Sequence, residues 1–135
     1  MSARTARLAA LVPLLAAVVI VVTLAIMSRP IDFLDEPSVV AFAVALLALL
    51  LAPHVLLAVI LFRASRVKWL WRTAAVGAVL STVAQLLVCG VLLTEDDPQT
   101  PILLVFYAPA QLGAVLLILA IGFLASRIRR RTRVS

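Results

Sequence analysis

The side chains able to do chemistry within the apolar parts of this chain are few and uncharged. His54 is the single histidine, and imidazole is the side chain whose reference pKa lies near physiological pH. It follows Pro53, which withholds a backbone donor and leaves the Leu49 carbonyl without its helical partner. Gly77, Ser81, Gln85 and Cys89 recur every four residues, with Thr82 beside Ser81. On a helix that spacing makes one slowly drifting stripe of small and polar groups. Gln111 and Thr23 complete the set. A titratable ring beside a kink suits a gate or a proton site, and a row of hydroxyls and amides suits a polar path. The plainer chemistry is adhesion. Small residues let helices approach, and Ser, Thr and Gln hydrogen-bond across the contact for about 0.6 kcal/mol each.

Covalent and metal chemistry find little support. A single cysteine cannot close an internal disulfide or form a CxxC pair. Cys89 has no basic neighbour to form a thiolate and is read as an inert buried thiol. A lone histidine has no visible partner for metal or acid–base work. HExxH, nucleophile-elbow and Gly-rich phosphate-loop patterns are missing. The chain is therefore read as non-enzymatic, with no cofactor and no metal.

Such side chains need elements to hold them, and composition says which. The chain has 135 residues, 65% hydrophobic and 13% charged, with a mean hydropathy of +1.23. Soluble domains are about 45–50% apolar and about 25% charged. The gap excludes an ordinary water-soluble globule, a disordered chain and a nucleic-acid-binding domain. Four uncharged apolar runs stand out: Leu8–Met27, Val39–Phe62, Thr73–Leu93 and Ile102–Ala125. Each exceeds or matches the roughly 20 residues that cross a hydrocarbon core. None alternates with period two, so helix is the spanning form that satisfies its own backbone. The expected fold is all-α: one domain of four transmembrane helices at about 8–27, 39–62, 73–93 and 102–125. Pro37-Ser38 and Thr100-Pro101 are suited to open the second and fourth spans. Pro13 and Pro109 fall in the first third of their helices, where bending is more easily accommodated.

Charge orients the bundle. Asp32, Asp35 and Glu36 occupy the first connection, and Glu95, Asp96 and Asp97 the third. Arg4, Arg7, Arg63, Arg66, Lys68, Arg72 and the tail arginines collect on the other side, and only Arg29 falls among the acids. Positive loops stay cytoplasmic during insertion. Residues 1–7, 63–72 and 126–135 are thus expected in the cytoplasm, and 28–38 and 94–101 outside. Both termini would be cytoplasmic, in a cytoplasmic membrane. Eleven arginines to one lysine, with Ala, Val and Leu dominant, hint at a high-GC bacterial genome. The start resembles a signal peptide, with Thr23-Leu24-Ala25 as a candidate cleavage site, but the apolar run of about 20 residues suits a retained span better than an h-region of 7–15.

A shift of 61 residues aligns Asp35-Glu36-Pro37 with Asp96-Asp97-Pro98, and Phe62, Ala64, Ser65 and Arg66 with Phe123, Ala125, Ser126 and Arg127. Two repeated helical hairpins are one reading. The other is that any outside-to-inside span needs an acidic start and a basic end.

Depth along the spans suggests which polar groups meet. His54, Gln85 and Gln111 lie about 12, 18 and 21 Å from the cytoplasmic ends of their runs. Gln85 and Gln111 are expected to face each other or to share a water. A polar path would run through Thr23, Gln85 and Gln111, then Ser81, Thr82 and His54. At the cytoplasmic edge, Arg66, Lys68, Trp69, Trp71, Arg72, Arg127, Arg129, Arg130, Arg131 and Arg133 are expected to contact anionic lipid headgroups. Phe106 and Tyr107 would anchor the outer edge.

The leading functional expectation is a non-catalytic accessory, assembly or interaction subunit of the cytoplasmic membrane. Its partners would be the lipid bilayer and another membrane protein or a second copy of itself, with no nucleic acid. The alternative is a small transporter or channel, also conceivable as a dimer, with its path through His54, Gln85 and Gln111. Small multidrug transporters have a similar size but carry an embedded glutamate that this chain lacks. Quinone-linked thiol oxidoreductases need paired cysteines.

Overall fold

A computed structural model describes residues 3–27, 36–64, 66–94 and 102–132. They form four helices, α1 (Ala3–Met27), α2 (Pro37–Arg63), α3 (Lys68–Thr94) and α4 (Ile102–Thr132). All four are long and apolar enough to cross a membrane, and the chain is a multi-pass membrane protein in architecture. The helices overrun the uncharged runs at their basic ends. Arginine is a good helix former, and its long stem lets the charge reach water from a helix that starts or ends near the headgroups. Pro37 opens α2 as expected, and the Val39 and Val40 amides return to the Glu36 carbonyl at 3.0 and 3.2 Å. The α2–α3 connection is tight: Ala64 N–H donates to Ile60 and Val67 N–H to Ala64. Thr100-Pro101, both acidic connections beyond Glu36, and Arg133 lie outside the described residues.

Each helix buries a narrow seam with alternating steps of four and three residues. On α1 it runs Ala6, Ala10, Pro13, Ala17, Ile20; on α2, Leu50, His54, Leu57, Leu61; on α3, Ala74, Ala78, Ser81, Gln85; on α4, Leu104, Ala108, Gln111, Val115. That step is the one by which left-handed bundles pack side chains into holes. The opposite faces are apolar and exposed, as at Leu15, Val44, Leu87, Phe106 and Leu117. Lipid is the solvent that makes such faces stable.

The seams build two apolar clusters. Ala10, Leu57, Leu61, Ala74, Ala78 and Val115 form one. Ile20, Leu50, Leu92, Leu104 and Ala108 form the other. Each draws on all four helices, and the residue order along them makes the helices run alternately up and down. Helices α2 and α3 contact each other and both remaining helices, whereas the backbones of α1 and α4 do not come within 8 Å among the described residues. A twofold axis exchanging the two hairpins would pair α1 with α4 as it pairs α2 with α3. That feature of a symmetric duplication is missing from the helix pairing.

Helices α3 and α4 approach closely at Gly122. A Cβ there would lie 2.6 Å from Thr73 Cγ2 and 3.0 Å from Thr73 Cβ. Thr73 cannot easily swing away, because its hydroxyl donates to the Trp69 carbonyl at 2.8 Å.

Candidate functional site

Between the two apolar clusters lies a polar layer. His54 enters it from α2, one residue after Pro53, and is 0% exposed. Gln111 enters from α4. Its amide nitrogen lies 3.1 Å from His54 Nε2 and donates to Ser81 Oγ of α3 at 2.6 Å. One carboxamide therefore ties three helices. An amide nitrogen brings two protons and no lone pair to share. With one proton on Ser81, the other meets the ring, so His54 Nε2 must accept and the ring proton must sit on Nδ1.

The third helix supplies the complement. Gln85 of α3 is buried in the same layer. Nδ1 of His54 and Oε1 of Gln85 are each without an aligned hydrogen bond, a donor and an acceptor of matching chemistry. The Gln85 nitrogen donates to Cys89 Sγ at 3.3 Å. The result is a string in two pieces, Ser81–Gln111–His54 and Gln85–Cys89, of which every member is buried. Cys89, expected as an inert thiol, is the acceptor that ends the second. The string holds no carboxylate or cation. It can fix a tautomer and a helix register, and among the described residues no group of three metal-ligating side chains accompanies it.

The expected meeting of Gln85 with Gln111 gives way to Gln111 with His54 and Ser81. The depth estimate treated the cytoplasmic ends of the spans as flush. Instead α4 continues seven residues past Ala125 while α2 stops one residue past Phe62. Sliding α4 along its axis brings Gln111 level with His54. Of the remaining path candidates, Thr23 is buried on α1 three residues past Ile20 of the second cluster. Thr82 is half-buried, and its hydroxyl has no partner. Neither is joined to the string by these bonds.

On its lipid-facing side, Gln111 also lines a groove between α3 and α4. This cavity of about 330 Å³ has Gly77, Ser81 and Ala84 on one side and Ala110 and Ala114 on the other, with the larger Leu80, Val115 and Ile118 among them. Tyr107 closes one end. Expected as an outer anchor, it is half-buried and turned into this groove, while its neighbour Phe106 is exposed. Two lining side chains carry buried oxygens without partners, Gln111 Oε1 and the Tyr107 hydroxyl. The groove was missed in the sequence. Its signal was the four-residue spacing of Ala110 and Ala114 around Gln111, matched by Gly77 and Ser81.

No family model, curated protein or solved structure matches the chain.

At the basic end, the expected headgroup residues separate into different surroundings. Arg66, Lys68, Trp69, Arg129 and Arg130 surround a second cavity of about 400 Å³. Arg127 instead lies over the Phe123 ring at 4.9 Å. Arg72 and Arg131 are exposed. Trp71, expected at the headgroups, packs against the apolar cluster around Leu61 and Ala74, and its indole N–H has no partner. A helix turns about 100° per residue, which sends Trp69 and Trp71 to different faces.

Proposed function

We propose that this chain is a non-catalytic accessory or assembly subunit that docks another membrane helix into its α3–α4 groove. The supporting observation is the apolar groove itself, where Gly77, Ser81 and Ala84 of α3 face Ala110 and Ala114 of α4. Small residues on both walls would let the backbone of a docking helix approach. The bundle would sit in the cytoplasmic membrane with both termini in the cytoplasm, as the distribution of arginines suggests. The partner would be another membrane protein or a second copy of the chain. The 61-residue register supports descent from a duplicated hairpin as history only, since α1 and α4 do not pair.

The test replaces groove walls without touching the string. Ala110→Leu with Ala114→Leu should abolish recovery of the partner helix in native complexes and leave the thermal stability of the chain itself unchanged. Undiminished recovery would overturn the reading. One observation favours the alternative, a small transporter or channel: His54, Gln85 and Gln111 do come together in one layer. That reading requires Gln111→Leu to stop flux in proteoliposomes while assembly stays normal.

A further inference from the structure

We infer that the basic end of the bundle is a built binding site for one phosphate group, rather than a diffuse positive surface. Four cations converge on the cavity of about 400 Å³, Arg66 and Lys68 from the α2–α3 turn and Arg129 and Arg130 from α4, with Trp69 and Ser126 between them. Retention of a loop in the cytoplasm depends on how many cations it carries. It does not require cations from segments some sixty residues apart to share one cavity.

The four cations are exposed around an open cavity, and two features fix where they stand. Ser126, Arg129 and Arg130 stand at i, i+3 and i+4, so they share one face of α4. Arg127 is on another face, spread over Phe123, and the Phe123 ring packs against Trp69 with centroids 5.9 Å apart at 55°. That stack pins the start of α3 to α4. It falls in register with the polar layer, since Trp69 is twelve residues before Ser81 and Phe123 twelve after Gln111. The close approach at Gly122 and Thr73 lies next to it.

Among the described residues, neutralisation from within is remote. The acid among the described residues is Glu36, at the opposite end of α2 from Arg63 and the turn, about 40 Å away along a helix of this length. Arginine forks match phosphate oxygens two at a time. Arg129 lies four residues past Ala125, about 6 Å beyond the apolar run. The phosphate is carried either by an anionic phospholipid or free in solution.

The purified full-length chain in detergent, examined by native mass spectrometry, distinguishes these. One phosphatidylglycerol should be retained in preference to phosphatidylcholine, or inorganic phosphate should occupy the same site at millimolar concentration. Displacement of the lipid by phosphate assigns a soluble ligand, and no displacement assigns a lipid. Arg129→Gln with Arg130→Gln should weaken retention at least tenfold. Arg4→Gln with Arg7→Gln removes the same charge from the same end and should change it less than twofold. Equal losses from the two pairs, or no retained ligand of either kind, would overturn the site. A Trp71→Phe background provides a readout without altering the cations: Trp69 emission should respond to phosphatidylglycerol or to phosphate, and an indifferent Trp69 refutes the proposal.

Discussion

His54 Nε2 and Gln111 Nε2 lie 3.1 Å apart, joining α2 to α4 across 57 residues of sequence. A nitrogen–nitrogen contact at that distance needs a donor on one side and a lone pair on the other. The amide can only donate, so the ring accepts. The proton position on a residue of α2 is thereby set by a residue of α4 and by the Ser81 hydroxyl of α3 that takes the second amide proton.

Replacing Gln111 by Leu removes both bonds and strands the His54 ring and the Ser81 hydroxyl. Intramembrane bonds average about 0.6 and reach about 1.7 kcal/mol, so the loss should be about 1–3 kcal/mol. Gln85→Leu gives up one bond to a thiol, a weak acceptor, and should cost less. Unfolding in mixed micelles measures both, and the reverse order would contradict the central role of Gln111.

Imidazole ¹⁵N shifts report the tautomer. The arrangement requires a proton on Nδ1 of His54 in the intact chain, and mixed tautomers once Gln111 is Leu. A dominant Nε2–H form in the intact chain would mean that the Gln111 amide is turned over, with its oxygen accepting from both His54 and Ser81.

Gly122→Ala should destabilise the chain by about 1–3 kcal/mol, the usual cost of overpacking, because its methyl would meet Thr73. Thr73→Ala in the same chain should recover most of that loss, a coupling that a double-mutant cycle measures directly. Gly113→Ala faces open space and should instead be neutral or stabilising by up to about 1 kcal/mol through helix propensity. Similar effects at Gly122 and Gly113 would refute the close α3–α4 approach.

Reporter fusions test sidedness. A phosphatase inserted at Asp96 should be active outside, and a fluorescent protein after Arg133 should fold inside. Reports from the same compartment would remove the basis for a cytoplasmic basic end.

The four apolar runs and the four helices coincide because hydrocarbon length and backbone satisfaction act along the chain, one segment at a time. Composition and charge order are read the same way. Of the polar residues that the sequence marks, His54, Ser81, Gln85 and Gln111 are all buried. Which of them touch was not legible. Nearly every face of these helices is apolar, so hydrophobicity alone could not say which turns inward, and the seam is marked by small and polar residues instead.

What the sequence determined on its own was the number of helices, their extents within a few residues and the chemical inventory between them. Only the tertiary structure decided the axial stagger of α4 against α2, and with it that Gln111 meets His54 rather than Gln85. It also decided that Arg129 and Arg130 share a cavity with Arg66 and Lys68 while Arg127 and Trp71 turn elsewhere. The reason is geometric. Stagger and rotation come from close fits such as Gly122 on Thr73 and Trp69 on Phe123, and these exist only between helices already brought together.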